Sequence, residues 1–289
     1  MTLSIGPMIN RRNAIFSIAA SAHIYCATSV FAQEKPAQTA ARFDPSYTAW
    51  DALLKKHVKW LPDNRQSRVH YAGMAADRAA LDAVLASWSS VPLATFNSWG
   101  RAEQMAFLIN AYNGFTIALI LTQHPQLKSI KDLGSVLQSA WKKKFFTLLG
   151  EERHLDWIEH EQLRPRYQDW RVHAAMVCAS IGCPALRPEA YSAARLSAQL
   201  DDGFNRFMAD RTRNRFADGK LHVSAIFKWF KQDFELASAA NGASKQLSDV
   251  LAKYADLLAD APADREKIRA KAVDVVYLDY DWSLNDAGR

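Results

Sequence analysis

One uninterrupted apolar stretch limits the possible folds more than any other part of this sequence. Residues 106–121 read AFLINAYNGFTIALIL, so a helix over them is apolar on every face except at Asn110 and Asn113. A helix that is apolar all round is buried, whereas a surface helix keeps one polar face. We therefore expect a helix over residues 98–123, ended by His124–Pro125, to run through the middle of a domain.

Apolar spacing elsewhere predicts more helices than strands. Further helices are predicted over residues 46–61, 77–88, 155–163, 172–180, 189–210, 224–234 and 244–258. Strands are predicted over residues 69–71, 145–149 and 273–280, and a hairpin over residues 215–223 with Asp218–Gly219 at its turn. These patterns predict an α+β fold, a helix-dominated single domain over residues 45–285 with a small, scattered, mostly antiparallel sheet.

The N-terminal residues show the three parts of a cleavable signal peptide. The basic pair Arg11–Arg12 precedes an uncharged run over residues 14–31, and Ala32 ends a site suited to signal peptidase. The run is too polar and too short for a membrane anchor, which needs about 20 mostly apolar residues. We expect a signal peptide over residues 1–32, a flexible leader over residues 33–44, and a mature protein that is periplasmic or secreted.

The charge pattern argues against nucleic acid as a partner. The formal charge of +6 falls to +4 when the predicted signal peptide is removed with its two arginines, and basic residues elsewhere are interspersed with acids. Nucleic-acid-binding proteins concentrate basic residues in a stripe, whereas the one cationic cluster here, Lys142–Lys143–Lys144, is typical of a solvated turn. We expect no integral membrane segment after signal cleavage, no cofactor, and an unidentified peptide or small-molecule substrate.

The two asparagines of the central helix need partners. Asn110 and Asn113 are three residues apart and share one helix face. Burying an amide without hydrogen bonds costs about 1–3 kcal/mol. Either these side chains bind neighbouring backbone and serve only the architecture, or they face a pocket and orient a ligand or a catalytic histidine.

Residues 171–184, RVHAAMVCASIGCP, form the segment richest in reactive side chains, with His173, Cys178 and Cys183. Two cysteines in an oxidising compartment most often form a disulfide. In an unbroken helix their Cα atoms would lie about 8.6 Å apart, beyond the limit of about 7 Å for a bridge. A disulfide therefore requires the predicted helix to end near Ser180.

Alternatively, Cys178 is a nucleophile that a histidine activates. On a helix His173 would face away from Cys178 by about 140°, so His160, from the preceding helix, is the better base, with an asparagine as its orienting group. His160 with its neighbours Glu159 and Arg164 also fits an ordinary packed pair. A zinc site formed by the two histidines and the two cysteines is a further possibility, although no pair of them has the usual ligand spacing.

Together these segments resemble the domain of unknown function 547 family. The similarity lies in the asparagine-bearing helix, in the Ile-Glu-His element over residues 155–164, in the cysteine segment and in Tyr280–Asn285, which reads YDWSLN. The resemblance spans roughly residues 45–285 and implies one shared site. The family's recurrent polar positions correspond to Asn110, Asn113, His160, Arg164, His173, Cys178, Ser180 and Cys183.

The resemblance implies no reaction, because members of this family are functionally uncharacterised. Some members are joined to thiol-redox modules, and this sequence shows none, which gives a redox role less support.

Two functions follow from these patterns. The first is a thiol hydrolase or acyl transferase, with Cys178, His160, Asn110 and His173 as catalytic residues and Asn113, Arg164, Ser180 and Trp229 as ligand-binding residues. The second is a non-catalytic binding or scaffolding module with a structural Cys178–Cys183 disulfide, or a zinc-binding domain. Any active site requires the cysteine segment, the Ile-Glu-His helix and the asparagine helix to meet at one cavity.

Overall fold

A computed structural model describes residues 42–239 and 246–288, which belong to one compact unit. The predicted signal peptide and most of the predicted leader lie outside the described residues. The α-helices are, in chain order, α1 (Thr48–His57), α2 (Tyr71–Ala76), α3 (Arg78–Ser89), α4 (Leu93–Ser98), α5 (Arg101–Leu121), α6 (Arg164–Tyr167), α7 (Leu196–Ala209), α8 (Ile226–Trp229), α9 (Lys231–Ala239), α10 (Leu247–Lys253), α11 (Ala255–Leu258) and α12 (Pro262–Arg269).

Seven short strands form three small sheets within the described residues. The strands are β1 (Val58–Trp60), β2 (Ser67–Val69), β3 (Phe146–Leu148), β4 (Glu151–Arg153), β5 (Arg215–Ala217), β6 (Lys220–Val223) and β7 (Val275–Tyr277). The pairs β1–β2, β3–β4 and β5–β6 are antiparallel, and β7 adds to β6 in parallel. The predicted helix-dominated α+β fold with small, mostly antiparallel sheets is confirmed.

Helix α5 lies at the centre of the main hydrophobic core, as its sequence predicts. Every residue from Met105 to Ile120 is buried. It is long and apolar enough to cross a membrane, and it is the one described helix of that kind, but 89% of its most apolar window is buried inside the protein. At Gly114 an added Cβ would lie 2.6 Å from the Trp88 ring, so glycine allows α3 to pack closely against α5.

Two hairpins show how local sequence decides local structure. The predicted Asp218–Gly219 turn joins β5 to β6, with positive φ values of 52° and 71°. A second positive-φ pair, Leu149–Gly150, joins β3 to β4. Residues 151–153 lie outside the predicted strands, but the second turn is so tight that Glu151–Arg153 pair with the preceding strand.

Two predicted helices near the cysteines are wrong in kind. Residues 155–163 were expected to form an α-helix, but Trp157–Leu163 form a π-helix, a conformation that is frequent at functional sites. The helix predicted over residues 172–180 is a 3₁₀-helix over Trp170–Ala174, after which the chain leaves helical geometry. The reason lies in Asn113, which binds the backbone that a continuing helix would use.

Candidate active site

The cysteine segment borders a cavity of about 670 Å³, counting its opening to solvent. Both cysteines line it, together with four titratable side chains, Asp156, Glu159, His160 and His173. Most of the remaining wall is aromatic, formed by Tyr112, Trp141, Trp229, Phe230, Tyr280 and Trp282. The π-helix and the cysteine segment therefore meet at one cavity.

A turn, and not a helix, brings the two cysteines together. After the 3₁₀-helix, Ala179 adopts a left-handed conformation with φ 62°, and the Cys183 N–H donates to the Ser180 carbonyl at 3.1 Å. Both cysteines are free, and their Sγ atoms lie 2.7 Å apart. Cys183 is buried, whereas Cys178 is half-buried. Cys178 is therefore the more exposed residue of the two.

Hydrogen bonds converge on the buried sulfur. The backbone N–H of Cys178 donates to Cys183 Sγ at 3.1 Å, and the Tyr280 hydroxyl lies 2.9 Å from the same atom. Burial and the neighbouring cysteines raise the pKa of Tyr280 well above its ordinary value, so its hydroxyl stays protonated and donates. Burial raises the pKa of Cys183, but the hydrogen bonds from Cys178 and Tyr280 outweigh it and lower this pKa to about 7.

The two sulfurs share one proton near neutral pH. The pKa of Cys178 rises well above its ordinary value, because its thiol is hydrogen-bonded to Cys183 and is buried beside that negative charge. The first proton therefore leaves Cys183 and the second stays on Cys178. Moving the remaining proton across the 2.7 Å contact turns Cys178 into the thiolate.

Among the described residues, no histidine hydrogen-bonds to either sulfur. The partners of Cys178 Sγ are Cys183, Tyr280 at 3.3 Å and Ser180 at 3.8 Å. His160 Nδ1 lies 2.6 Å from the guanidinium of Arg164, which can only donate. Neutral His160 therefore carries its proton on Nε2. At that atom it can donate a hydrogen bond, but it cannot accept a proton as a general base would.

The second histidine forms a dyad with an acid from α9. His173 Nε2 lies 2.7 Å from Asp233 Oδ2, and Arg164 binds the same carboxylate through two nitrogens at 2.6 and 3.1 Å. Burial raises the pKa of Asp233, but the hydrogen bonds from His173 and Arg164 outweigh it and hold this pKa below its ordinary value. Burial lowers the pKa of His173. Neutral His173 thus donates its Nε2 proton to Asp233, which leaves Nδ1 unprotonated.

Glu159 supplies a buried carboxyl group to the cavity wall. Burial and the nearby charge of Asp156 raise the pKa of Glu159 to about 7, although Arg164 and a hydrogen bond from Tyr112 oppose the rise. A carboxyl with this pKa is partly protonated at neutral pH and can give or take a proton there. At neutral pH the cavity wall therefore offers both a proton donor and a proton acceptor beside the cysteine pair.

The elements that form this cavity coincide with a family match. Residues 96–208 match DUF547, described as a protein of unknown function. The match covers α5, the π-helix and both cysteines, and it supports the resemblance predicted from the motifs. It ends before Tyr280, so the similarity of the C-terminal motif stays a prediction. No curated protein and no solved structure matches the chain.

The two asparagines of the matched region bind backbone and do not line the cavity. Asn110 donates to the Tyr191 carbonyl at 2.8 Å and accepts from the Tyr191 N–H at 3.0 Å. Asn113 donates to the Ala175 carbonyl and accepts from the Val177 N–H, both at 2.9 Å. The architectural alternative therefore fits both amides better than the predicted roles of Asn110 as a catalytic group and Asn113 as a ligand-binding group.

Of the other predicted ligand-binding residues, one lines the cavity and two hold residues of the cavity wall in place. Trp229 lines the cavity and is 47% exposed. Arg164 is not in the wall, but it holds Asp233 and His160 in place. Ser180 is buried next to Cys178 and belongs to the turn.

Sequence reasoning missed the acid that orients His173. Asp233 lies 60 residues further along the chain, and no motif marks it. Tyr280 was noted only as part of the C-terminal motif, and Trp141 carried no signal beyond its size.

The zinc alternative has no ligand set in the described ranges. Within residues 42–239 and 246–288, no group of three or more His, Cys, Asp or Glu side chains is arranged to hold a metal ion. His160, His173, Cys178 and Cys183 line one cavity, but His160 is bound to Arg164, His173 to Asp233, and the two cysteines to each other.

Proposed function

We propose that Cys178 and Cys183 form a thiol–disulfide exchange centre in an exported domain. The contact that carries this proposal is the 2.7 Å distance between the two sulfurs, in a cavity that both cysteines line. A sulfur–sulfur bond of about 2.05 Å needs only a small further approach. The lowered pKa of Cys183 supplies the thiolate on which exchange depends.

The exchange proceeds in two balanced steps with a disulfide substrate R–S–S–R. The Cys178 thiolate attacks one substrate sulfur, which forms a mixed disulfide and releases one R–S⁻. The Cys183 thiolate then attacks Cys178 Sγ, which forms the Cys178–Cys183 bond and releases the second R–S⁻. Two electrons pass from the cysteines to the substrate. The one proton of the pair, which lies on Cys183 while Cys178 attacks, goes to the first released thiolate, and the second leaves as R–S⁻ or takes a proton from solvent. The reverse sequence oxidises a dithiol.

The remaining cavity groups fit this role. His160 can donate from Nε2, and Glu159 can exchange a proton near neutral pH, so both are suited to protonate a leaving thiolate. The aromatic wall provides apolar contact for the organic part of a substrate.

A second candidate is the thiol hydrolase or acyl transferase that the sequence suggested. The observation that favours it is the His173–Asp233 dyad in the same cavity as Cys178. Against it, neither histidine reaches a sulfur, and Arg164 occupies the Nδ1 atom of the predicted base His160. The exchange reaction needs no histidine bound to sulfur, so the geometry supports it better.

Export rests on the sequence alone. Arg11–Arg12, the uncharged run and Ala32 form the signal-peptide pattern. A periplasmic or extracellular location would supply the disulfides that an exchange centre uses. N-terminal sequencing of the protein recovered from cells tests this proposal, and a chain that begins at Gln33 is the expected result.

The reaction is tested by equilibrating the reduced full chain in glutathione buffers of different redox potential. Samples are quenched with acid, alkylated and mapped by peptide mass spectrometry, so that Cys178, Cys183 and the N-terminal Cys26 are read separately. We expect Cys178 and Cys183 to interconvert reversibly between dithiol and disulfide. A pair that stays in one state across all buffers would contradict the exchange centre and favour the structural disulfide or inert thiols.

Single variants separate the two cysteines. Cys183→Ser should accumulate glutathione on Cys178, because the second step is blocked, whereas Cys178→Ser should leave the buried Cys183 nearly unmodified. Cys26→Ser is the matched control and should behave like the wild type. Turnover of a thioester or ester that survives in Cys183→Ser but not in Cys178→Ser would replace exchange with the hydrolase candidate.

A further inference from the structure

We propose that an exposed loop next to the cavity docks onto an anionic lipid bilayer. The loop comprises residues 134–139, and at its tip Val136 and Leu137 have relative exposures of 104% and 97%. Single exposed apolar residues are common on protein surfaces. Two adjacent aliphatic side chains held fully in solvent are the feature expected of a contact with another phase or partner.

The tip is held in a defined shape. The Ser135 N–H donates to the Gln138 carbonyl at 2.8 Å, and the Ser135 hydroxyl accepts from the Gln138 N–H at 3.1 Å. A 3₁₀-helix lies on each side, Ile130–Leu133 before the loop and Ala140–Lys142 after it, and each has buried residues. The fold therefore presents the two aliphatic side chains on an anchored support.

Lysines flank this tip on both sides in the sequence. Exposed lysines lie at positions 128, 131, 142, 143 and 144, and none of them forms an ion pair with a described carboxylate. The one acid in residues 128–144 is Asp132, whose carboxylate accepts from the Ser129 N–H. Five lysines and one acid make this segment positively charged, which complements an anionic headgroup layer. The apolar tip would reach below the headgroups.

The shape of the loop favours a bilayer over an acidic protein. A stable protein contact covers about 800 Å² on each partner, whereas the apolar part of this surface is the tip of one loop. Flexible lysine side chains keep their ammonium groups at a headgroup layer while the neighbouring apolar groups enter it. The loop also connects to the cavity wall, since the rings of Trp141 and Trp282 lie 5.9 Å apart and Lys131 lies 4.6 Å above Trp282. Docking would therefore hold the cavity close to the membrane surface, whatever reaction it performs.

The test uses the full chain with vesicles of phosphatidylcholine alone and of phosphatidylcholine mixed with phosphatidylglycerol. Hydrogen–deuterium exchange read by mass spectrometry reports the loop amides separately from the N-terminal residues. We expect residues 135–138 to exchange more slowly with the phosphatidylglycerol vesicles only. Unchanged exchange there would refute docking, even if the chain binds vesicles through another segment.

Variants of the loop show which of its residues contribute to the affinity for vesicles. Lys142→Gln, Lys143→Gln and Lys144→Gln together should weaken loop docking about a hundredfold, since each lysine near an anionic surface contributes roughly a factor of five. Val136→Ser with Leu137→Ser should weaken it roughly tenfold or more. The matched control removes the same charge elsewhere on the surface, through Lys59→Gln, Lys220→Gln and Lys253→Gln.

The outcome of the control decides the interpretation. Equal losses in the loop variant and the control variant would mean attraction through net charge alone, which would overturn the proposal. Protection of the loop by a soluble polyanionic peptide, equal to that by vesicles, would assign the surface to an acidic protein in place of a bilayer.

Discussion

Replacing Tyr280 with phenylalanine tests the central electrostatic claim about the cysteine pair. The Tyr280 hydroxyl lies 2.9 Å from Cys183 Sγ and stabilises the thiolate. A hydrogen bond to a charged group contributes about 1.5–3 kcal/mol, and one pKa unit corresponds to about 1.36 kcal/mol. Because the lost donor favoured the charged form, Tyr280→Phe should raise the first pKa of the pair by about 1–2 units from its value of about 7.

The ring itself is kept, so the change isolates the hydroxyl. The Tyr280 ring lies 4.9 Å from the Trp229 ring and 4.5 Å from the Trp282 ring, and phenylalanine preserves both contacts. Thiolate absorbance in the ultraviolet, followed against pH in the reduced protein, measures the pKa. Tyr277→Phe, in the neighbouring strand β7, is the matched control. An unchanged or lowered first pKa in Tyr280→Phe would refute the assignment of the thiolate to Cys183.

Three further substitutions test the support of the site through urea unfolding. Burial holds the pKa of Glu159 at about 7, above its ordinary 4.5, so between these pH values the native state binds a proton that the unfolded state has lost. The free energy of unfolding should therefore fall by about 3 kcal/mol as the pH rises from 4.5 to about 7. Glu159→Gln should abolish that fall. Asn113→Ala should cost about 2–4 kcal/mol, because it leaves two buried backbone groups unpaired, whereas the exposed Asn97→Ala should cost little. Gly114→Ala should cost about 1–3 kcal/mol, because the new Cβ overlaps the Trp88 ring; a stability equal to that of the wild type would contradict this close packing.

Features that depend on local sequence could be predicted. The central helix was predictable because its residues are apolar on every face, and a helix of that kind has no stable place at the surface. The β5–β6 hairpin was predictable because Asp218–Gly219 readily adopts the positive φ values of its turn. In both cases the deciding interactions lie within a few residues of each other.

The conformation of the cysteine segment depends on distant residues, and so it could not be predicted. Residues 172–180 have the composition of a helix, but Asn113 binds the Ala175 carbonyl and the Val177 N–H from 62 and 64 residues away. The argument that His173 must face away from Cys178 assumed a continuous helix and lost its basis with it. The sequence predicted that the cysteine segment, the Ile-Glu-His helix and both asparagines share one cavity. The two histidines and two cysteines do line it, but the asparagines bind backbone, and the partner of each histidine was not predicted.

The pairing of the catalytic candidates follows from long-range contacts in the same way. The sequence suggested His160 as the base because it precedes the cysteines on a neighbouring helix. In the structure His160 is hydrogen-bonded to Arg164 and His173 to Asp233. The two sulfurs contact each other and Tyr280. Side-chain pairing of this kind has no periodicity along the chain, and a single sequence carries no signal for it.

The cysteine turn is held from two sides, which explains how it keeps a conformation that its own residues do not favour. Ala179 has a left-handed φ of 62°, which is costly for a residue with a Cβ and persists only where the surroundings enforce it. On one side Asn113 fixes the backbone that precedes the turn. On the other side the buried Arg213 donates to the carbonyls of Ile181 and Cys183. Because both anchors bind backbone and neither touches a sulfur, the two sulfurs can stay in register while their protons, and in the proposed reaction their bond, change.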